Sequence, residues 1–299
     1  MRIRRFIILV AAVAVLVACA TTVRVAVADR PAAPLPAAAL ELAQPGDAAV
    51  NVRTGTMKGV YGCPVAYEAY LPSEPRTGIM VLLGHGFMRD LTHMRGWARL
   101  WASHGVPTAI MTFCNSSLAA GNHDRNAEDM LALAAQLHNG PVIYAGFSAG
   151  GLAALISASR DPRAVGYLGL DPVDSGGLAA PAAARLTLPG LFLEGDPASC
   201  NAQGNMAPLV PVRAGVAAVR VLHSVHCLFE DPSDSACAAL CGSVEPEESR
   251  RDVANAIHTI ATAWILHATG IGGQAAAVLY SLWTGGDAWK GRVVVLQAP

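Results

Sequence analysis

From residue 52 to residue 267 short apolar runs alternate with helical patterns, and no other property of the chain constrains its fold as strongly. The runs at 52–60, 66–71, 78–84, 107–113, 142–145, 164–170, 190–194 and 219–223 read as strands, and 94–103, 127–137, 150–157 and 253–267 as helices. Strands joined by helical crossovers pair in parallel. A parallel sheet covered on both faces turns each strand into a near-continuous apolar run. The expected architecture is therefore α/β: a mostly parallel eight-stranded sheet flanked by helices, forming one domain over residues 49–299. A chain of 299 residues is long enough to bury a large core in one such domain. There is no internal repeat, and residues 270–299, with an apolar stretch at 275–283, have no assigned place in this scheme.

Part of the 53% hydrophobic content belongs to the N-terminus instead of the fold. Three arginines fall within residues 1–5, and residues 6–18 form an unbroken apolar run. That run is too short to cross a bilayer and carries a basic head, which is the layout of a secretory signal. Leu16-Val17-Ala18-Cys19 matches the bacterial lipobox, which would make residues 1–18 the signal and Cys19 the lipidated first residue, anchored through acyl chains. Ala20 follows the cysteine, so there is no aspartate to retain the protein at an inner membrane. A competing site, Ala26-Val27-Ala28, would instead release a soluble periplasmic or secreted protein. Residues 19–48, rich in Ala, Pro and Val, read as a linker from envelope to domain. The formal charge is -1, and without the three arginines 18 basic residues face 22 acidic ones. Nothing in that balance points to nucleic acid.

With Cys19 assigned to the signal, Cys63, Cys114, Cys200, Cys227, Cys237 and Cys241 remain. An even six in an exported chain implies disulfides, and six cysteines allow about 15 connectivities. Cys237 and Cys241 lack a second matched pair of ligands, and His93, His104 and His123 form no metal-binding pattern, so neither a metal nor a cofactor is expected.

The apolar run ending at Phe147 passes into Gly146-Phe147-Ser148-Ala149-Gly150, a Gly-x-Ser-x-Gly pentapeptide between a strand and a helix. A serine on such a sharp turn is held in strained backbone with its hydroxyl presented, and flanking glycines are needed where any Cβ would strike the neighbouring elements. Ser148 is thus the candidate nucleophile. It needs a base, an acid to orient the base, and donors for an oxyanion. His226, just past the last strand, is the candidate base; His223 is the rival, with its direction fixed by the strand. Asp171 and Asp196 each follow a strand, at the sheet edge where catalytic groups gather, and position alone slightly favours Asp196.

The segments Leu82-Leu83-Gly84-His85-Gly86-Phe87 and Leu100-Trp101-Ala102-Ser103-His104-Gly105-Val106 resemble the front of chlorophyllase-like α/β-hydrolases. Those proteins also carry the serine elbow, an Asp-Pro-Val segment after the following strand and a late histidine. The matching residues here are Ser148, Asp171 in Leu170-Asp171-Pro172-Val173, and His226. Platelet-activating-factor acetylhydrolases are similar in the placement of the acid. Cutinase-like polyester hydrolases share the elbow but take the acid one strand later, which would be Asp196. The resemblance spans residues 55–270 and implies an α/β-hydrolase fold with Asp171 as the acid. It also implies an oxyanion hole from the Ala149 and Phe87 amides, with His85 shaping the loop and taking no part in proton transfer.

Only 18 residues separate Asp171 from the next strand, too few for a large cap domain. The expected activity is that of an exported serine esterase, monomeric, acting on small or polymeric esters. A polyester or cutin hydrolase or a lipase is the alternative, and a non-catalytic envelope binding protein is the alternative of another class. Trp97 and Trp101, four residues apart on one helix face, are expected to pack against the sheet.

Overall fold

The computed structural model describes residues 34–118 and 121–299, and the backbone of residues 24–26. The signal segment and Cys19 lie outside the described residues. The main sheet has nine strands in the order β11-β9-β8-β7-β6-β4-β5-β3-β2. These are β2 (Val50–Lys58), β3 (Pro64–Pro72), β4 (Met80–Gly84), β5 (Thr108–Met111), β6 (Val142–Phe147), β7 (Ala164–Leu170), β8 (Gly190–Glu194), β9 (Val216–Val221) and β11 (Val293–Gln297). The six central strands run parallel, while β2 and β3 at one edge and β11 at the other are antiparallel. A separate two-stranded parallel pair joins β1 (Arg24–Ala26) to β10 (Ser243–Glu245).

Every residue of β6 is buried, as a strand covered on both faces requires. On one face α2 (Arg95–Ser103), α7 (Glu247–Ala268) and α8 (Gly273–Trp283) enclose a core with Trp97, Trp101, Ile257 and Trp264. On the other, α3 (His123–Leu137), α4 (Ala149–Ala158) and α5 (Ala179–Arg185) cover Tyr144, Tyr167, Met130 and Leu155. Trp97 and Trp101 are fully buried, their rings 5.4 Å apart.

The chain leaves β4 outward to β5 and then returns across β4 to β6. That reversal opens a crevice at the carboxyl ends of β4 and β6, where open α/β sheets hold their ligands.

Two expectations need correction. The sheet has a ninth strand, β11, which pairs antiparallel with β9 at the edge; it carries the apolar run Val293-Val294-Val295-Leu296, half-buried with alternate residues exposed. The linker does not extend to residue 48: Leu35, Ala39 and Leu42 are buried, around α1 (Ala37–Leu40) and the turn that follows it. The Thr259 hydroxyl donates to the Ala39 carbonyl (3.1 Å), and the Ala48 N–H to the Ser103 carbonyl (2.9 Å). Residues 275–283 form most of α8, with Ala275, Val278, Leu279 and Leu282 on its buried face.

Three disulfides pair Cys63 with Cys114, Cys200 with Cys241 and Cys227 with Cys237, at Cα separations of 6.3, 5.5 and 5.8 Å. They fit an oxidising, exported environment. No helix among the described residues is long and apolar enough to cross a membrane.

Candidate active site

β6 ends in a turn that puts Ser148 at φ 54° and ψ -123°, a conformation that costs a non-glycine residue free energy. The turn is held by the Ser148 N–H, which donates to the Leu170 carbonyl of β7 (3.0 Å). The flanking glycines are steric necessities. A Cβ at Gly146 would lie 2.2 Å from the Gly150 carbonyl oxygen, and one at Gly150 would lie 2.4 Å from that of His85. Ser148 stands at the N-cap of α4, whose first N–H groups make that end electropositive.

His226 opens a short 3₁₀ turn, His226–Phe229, after β9. Its Nε2 is 2.9 Å from Ser148 Oγ and its Nδ1 is 2.6 Å from Asp171 Oδ2. A carboxylate only accepts, so Nδ1 carries the proton and Nε2 is left to accept one from the serine. Asp171 is 1% exposed and sits at φ 42°, a second strained position. Its Oδ1 accepts the Gly195 N–H (2.8 Å), and Asn201 Nδ2 donates to both carboxylate oxygens at 3.3 and 3.2 Å.

Asn201 is the site residue that sequence reasoning missed. It is fully buried, and its Oδ1 accepts the Ala198 and Gly204 N–H groups, which fixes its amide nitrogen toward Asp171. The one local sign of its importance is Cys200 beside it, bonded to Cys241 of α6 (Ser235–Cys241). The same helix holds Cys237, bonded to Cys227 next to His226. One short helix therefore ties down both the amide partner of Asp171 and the His226 loop.

The two rivals are kept out of the relay and used to build it. Asp196 Oδ2 accepts the His223 N–H (2.7 Å) and the Asp196 N–H points to Ser224 Oγ (3.3 Å). These bonds shape the turn through His223, at φ 60°, that delivers His226.

The loop after β4 brings Phe87 alongside. Neither the Phe87 nor the Ala149 N–H meets an acceptor among the described residues. Gly86 permits the approach, since a Cβ there would lie 2.8 Å from the Phe147 ring and 3.3 Å from Ser148 Cβ. His85 is fully buried, its Nδ1–H donating to the Gly86 carbonyl (2.7 Å) and its Nε2 accepting the Phe113 N–H (2.9 Å). Burial pushes its imidazole down to about 4, so it stays neutral and braces the loop. The Phe87 ring packs edge-on to His123 at 6.2 Å, and Met88 is 53% exposed.

Glu194, at the end of β8, is 1% exposed, neither oxygen has a hydrogen-bond partner among the described residues, and Arg220 is 4.0 Å away. Burial, and then the charge of Asp171, push its carboxyl up to about 8 from an ordinary 4.5. The unfolded chain releases this proton near 4.5 and the folded protein near 8, so the unfolded state binds fewer protons in between. Stability from this group therefore falls as pH rises across that window and is flat above it. Glu194→Gln is expected to remove this contribution. Urea unfolding at roughly pH 5.5 and pH 8, which span the window, should show a smaller loss for the variant than for the wild type. An identical pH dependence in both would refute the assignment.

Cysteine sulfurs gather at Cys227, Cys237 and Cys241 and at Cys63 and Cys114, but all are in disulfides and offer no thiolate to a metal. No protein-family model matches the chain, and no curated protein matches it.

Proposed function

We propose that the chain is an exported serine hydrolase with the α/β-hydrolase fold that cleaves carboxylic esters through an acyl-enzyme. One observation carries this reading: the unbroken Ser148–His226–Asp171 relay, with links of 2.9 and 2.6 Å, on a strained turn beside two N–H groups that meet no acceptor among the described residues. Ser148 Oγ attacks the ester carbonyl while His226 Nε2 takes its proton. The Phe87 and Ala149 amides receive the oxyanion, and Asp171 stabilises the imidazolium. The tetrahedral intermediate collapses and His226 hands the proton to the departing alcohol. Water, activated by the same histidine, then releases the acid. No cofactor enters any step.

The chain order Ser, Asp, His and the strand–turn–helix context support the superfamily. The acid after β7 instead of β8 favours the chlorophyllase-like and acetylhydrolase-like branch over the cutinase-like one. The signal layout and three disulfides support export, with Cys19 the proposed anchor.

One feature favours bulky or polymeric esters as a second reading. The Met88 N–H donates to the Ser116 carbonyl (2.9 Å), which sets the two loops side by side. Met88 on one and Leu118 on the other are 53% and 82% exposed, an apolar edge beside the oxyanion loop. A panel of p-nitrophenyl esters of increasing acyl length, run beside a polyester film, tests both readings. Turnover with an initial burst is expected on the short esters, and film hydrolysis would select the second reading. No turnover on any ester would sink the proposal.

A further inference from the structure

Arg89 lies two residues beyond the oxyanion donor Phe87, in the loop after β4. Its guanidinium forks onto Glu230, with Nε to Oε1 at 2.6 Å and Nη2 to Oε2 at 2.8 Å. Glu230 closes the turn that begins at His226, and its side chain has no exposed surface, while that of Arg89 is 15% exposed. Arg89 Nη2 also lies 3.0 Å from Asp234 Oδ1. Asp234 is the N-cap of α6, accepting the Cys237 N–H (2.8 Å), and Cys237 is bonded to Cys227. One cation on the oxyanion loop therefore grips the end of the turn that begins with the base, 141 residues away in sequence, and the start of the helix that follows it.

The surrounding contacts run in the same direction. The Asp231 N–H donates to the His93 carbonyl (2.9 Å), the Gly96 N–H to the Asp231 carbonyl (2.7 Å), and Trp97 Nε1–H to the Phe229 carbonyl (3.0 Å). These dock the far end of the base loop on α2 and its approach. Arg89 acts closer to the oxyanion donor, and its planar fork fixes direction as well as distance, which a lysine does not.

We infer that Arg89 is a positioning residue: by clamping Glu230 and Asp234 it sets where His226 stands relative to the Phe87 oxyanion donor. Its effect on catalysis rests on the ester-hydrolase reading; the clamp itself does not. A displacement of about 1 Å between base and oxyanion donor costs on the order of 100-fold in rate. Arg89→Lys, which keeps the charge and loses the fork, is expected to lower kcat about 10- to 100-fold with KM little changed. Affinity for a boronic acid that mimics the tetrahedral intermediate should fall in parallel.

A purely stabilising role predicts something else. Arg89→Met combined with Glu230→Met leaves no buried unpaired charge, so its Tm should recover relative to Arg89→Met alone. The clamp predicts that kcat stays low in that double variant. Wild-type kcat in either Arg89→Lys or the double variant would overturn the catalytic role. Amide exchange over residues 226–234, measured without substrate, reads the clamp separately. Faster exchange in Arg89→Met is expected, and unchanged exchange would overturn the clamp even if ester turnover were established. If the wild type turned over no ester while exchange rose, the functional reading would fail and the clamp would stand.

Discussion

Ser148→Ala is expected to lower kcat on a short p-nitrophenyl ester by about 10⁵- to 10⁶-fold, to the level that binding and the oxyanion donors alone sustain. The loss follows from chemistry and not from damage to the fold. The Ser148 side chain makes one hydrogen bond, to His226 Nε2, while the backbone of the turn is held by its own N–H and carbonyl. The Ser148 N–H bonds Leu170, and its carbonyl accepts the Gly151 N–H (2.9 Å) and the Val173 N–H (3.2 Å). Alanine keeps all of these. Unfolding free energy should therefore stay within about 1 kcal/mol of wild type. A variant that kept its Tm and retained even a tenth of wild-type kcat would place the nucleophile elsewhere.

Asp171→Asn carries the second-largest expected effect, a loss on the order of 10⁴-fold in kcat. The reason lies in the bonds around the side chain. Oδ1 already receives the Gly195 N–H and part of the Asn201 amide, so an asparagine must turn its carbonyl to that side. Its NH₂ then faces His226 Nδ1 and forces the imidazole proton onto Nε2. The ring would then donate to Ser148 where it should accept. Asparagine tolerates the positive φ of 42° at this position, so the backbone need not change. Asp196→Asn is the control. Asn Oδ1 can accept the His223 N–H just as the carboxylate does, and kcat should stay within about fivefold of wild type. The reverse outcome, with Asp196→Asn crippling turnover and Asp171→Asn sparing it, would assign the acid to the later strand.

The central strands could be read from the chain because burial on both faces writes itself as an uninterrupted apolar run. β7 and β8 fall at 164–170 and 190–194, as the pattern predicts. The serine turn was equally legible, since the pentapeptide spells out both close approaches that exclude a Cβ. What escaped has long-range causes. β11 is an apolar run, Val293-Val294-Val295-Leu296, but its antiparallel edge place comes from pairing with β9, and the segment from Leu35 onward docks through isolated apolar residues hidden among alanines and prolines. Position alone leans to Asp196, since both acids follow neighbouring parallel strands, and the resemblance points to Asp171. Their roles depend on which way each turn aims the carboxylate. Asn201 reaches Asp171 from 30 residues away and Arg89 reaches Glu230 from 141, and no local pattern encodes either contact. Which of the cysteine pairings forms is likewise decided by which loops the sheet brings together.

The proposed function rests on Ser148 as a nucleophile activated by His226 and Asp171. The most direct test is exposure of the folded, disulfide-intact protein to a fluorophosphonate, followed by peptide mass spectrometry. A single phosphonyl adduct on Ser148 is expected, abolished in His226→Ala and strongly slowed in Asp171→Asn. No adduct on Ser148 under conditions where a known serine hydrolase labels completely would contradict it, and would point instead to a non-catalytic binding protein built on the same fold.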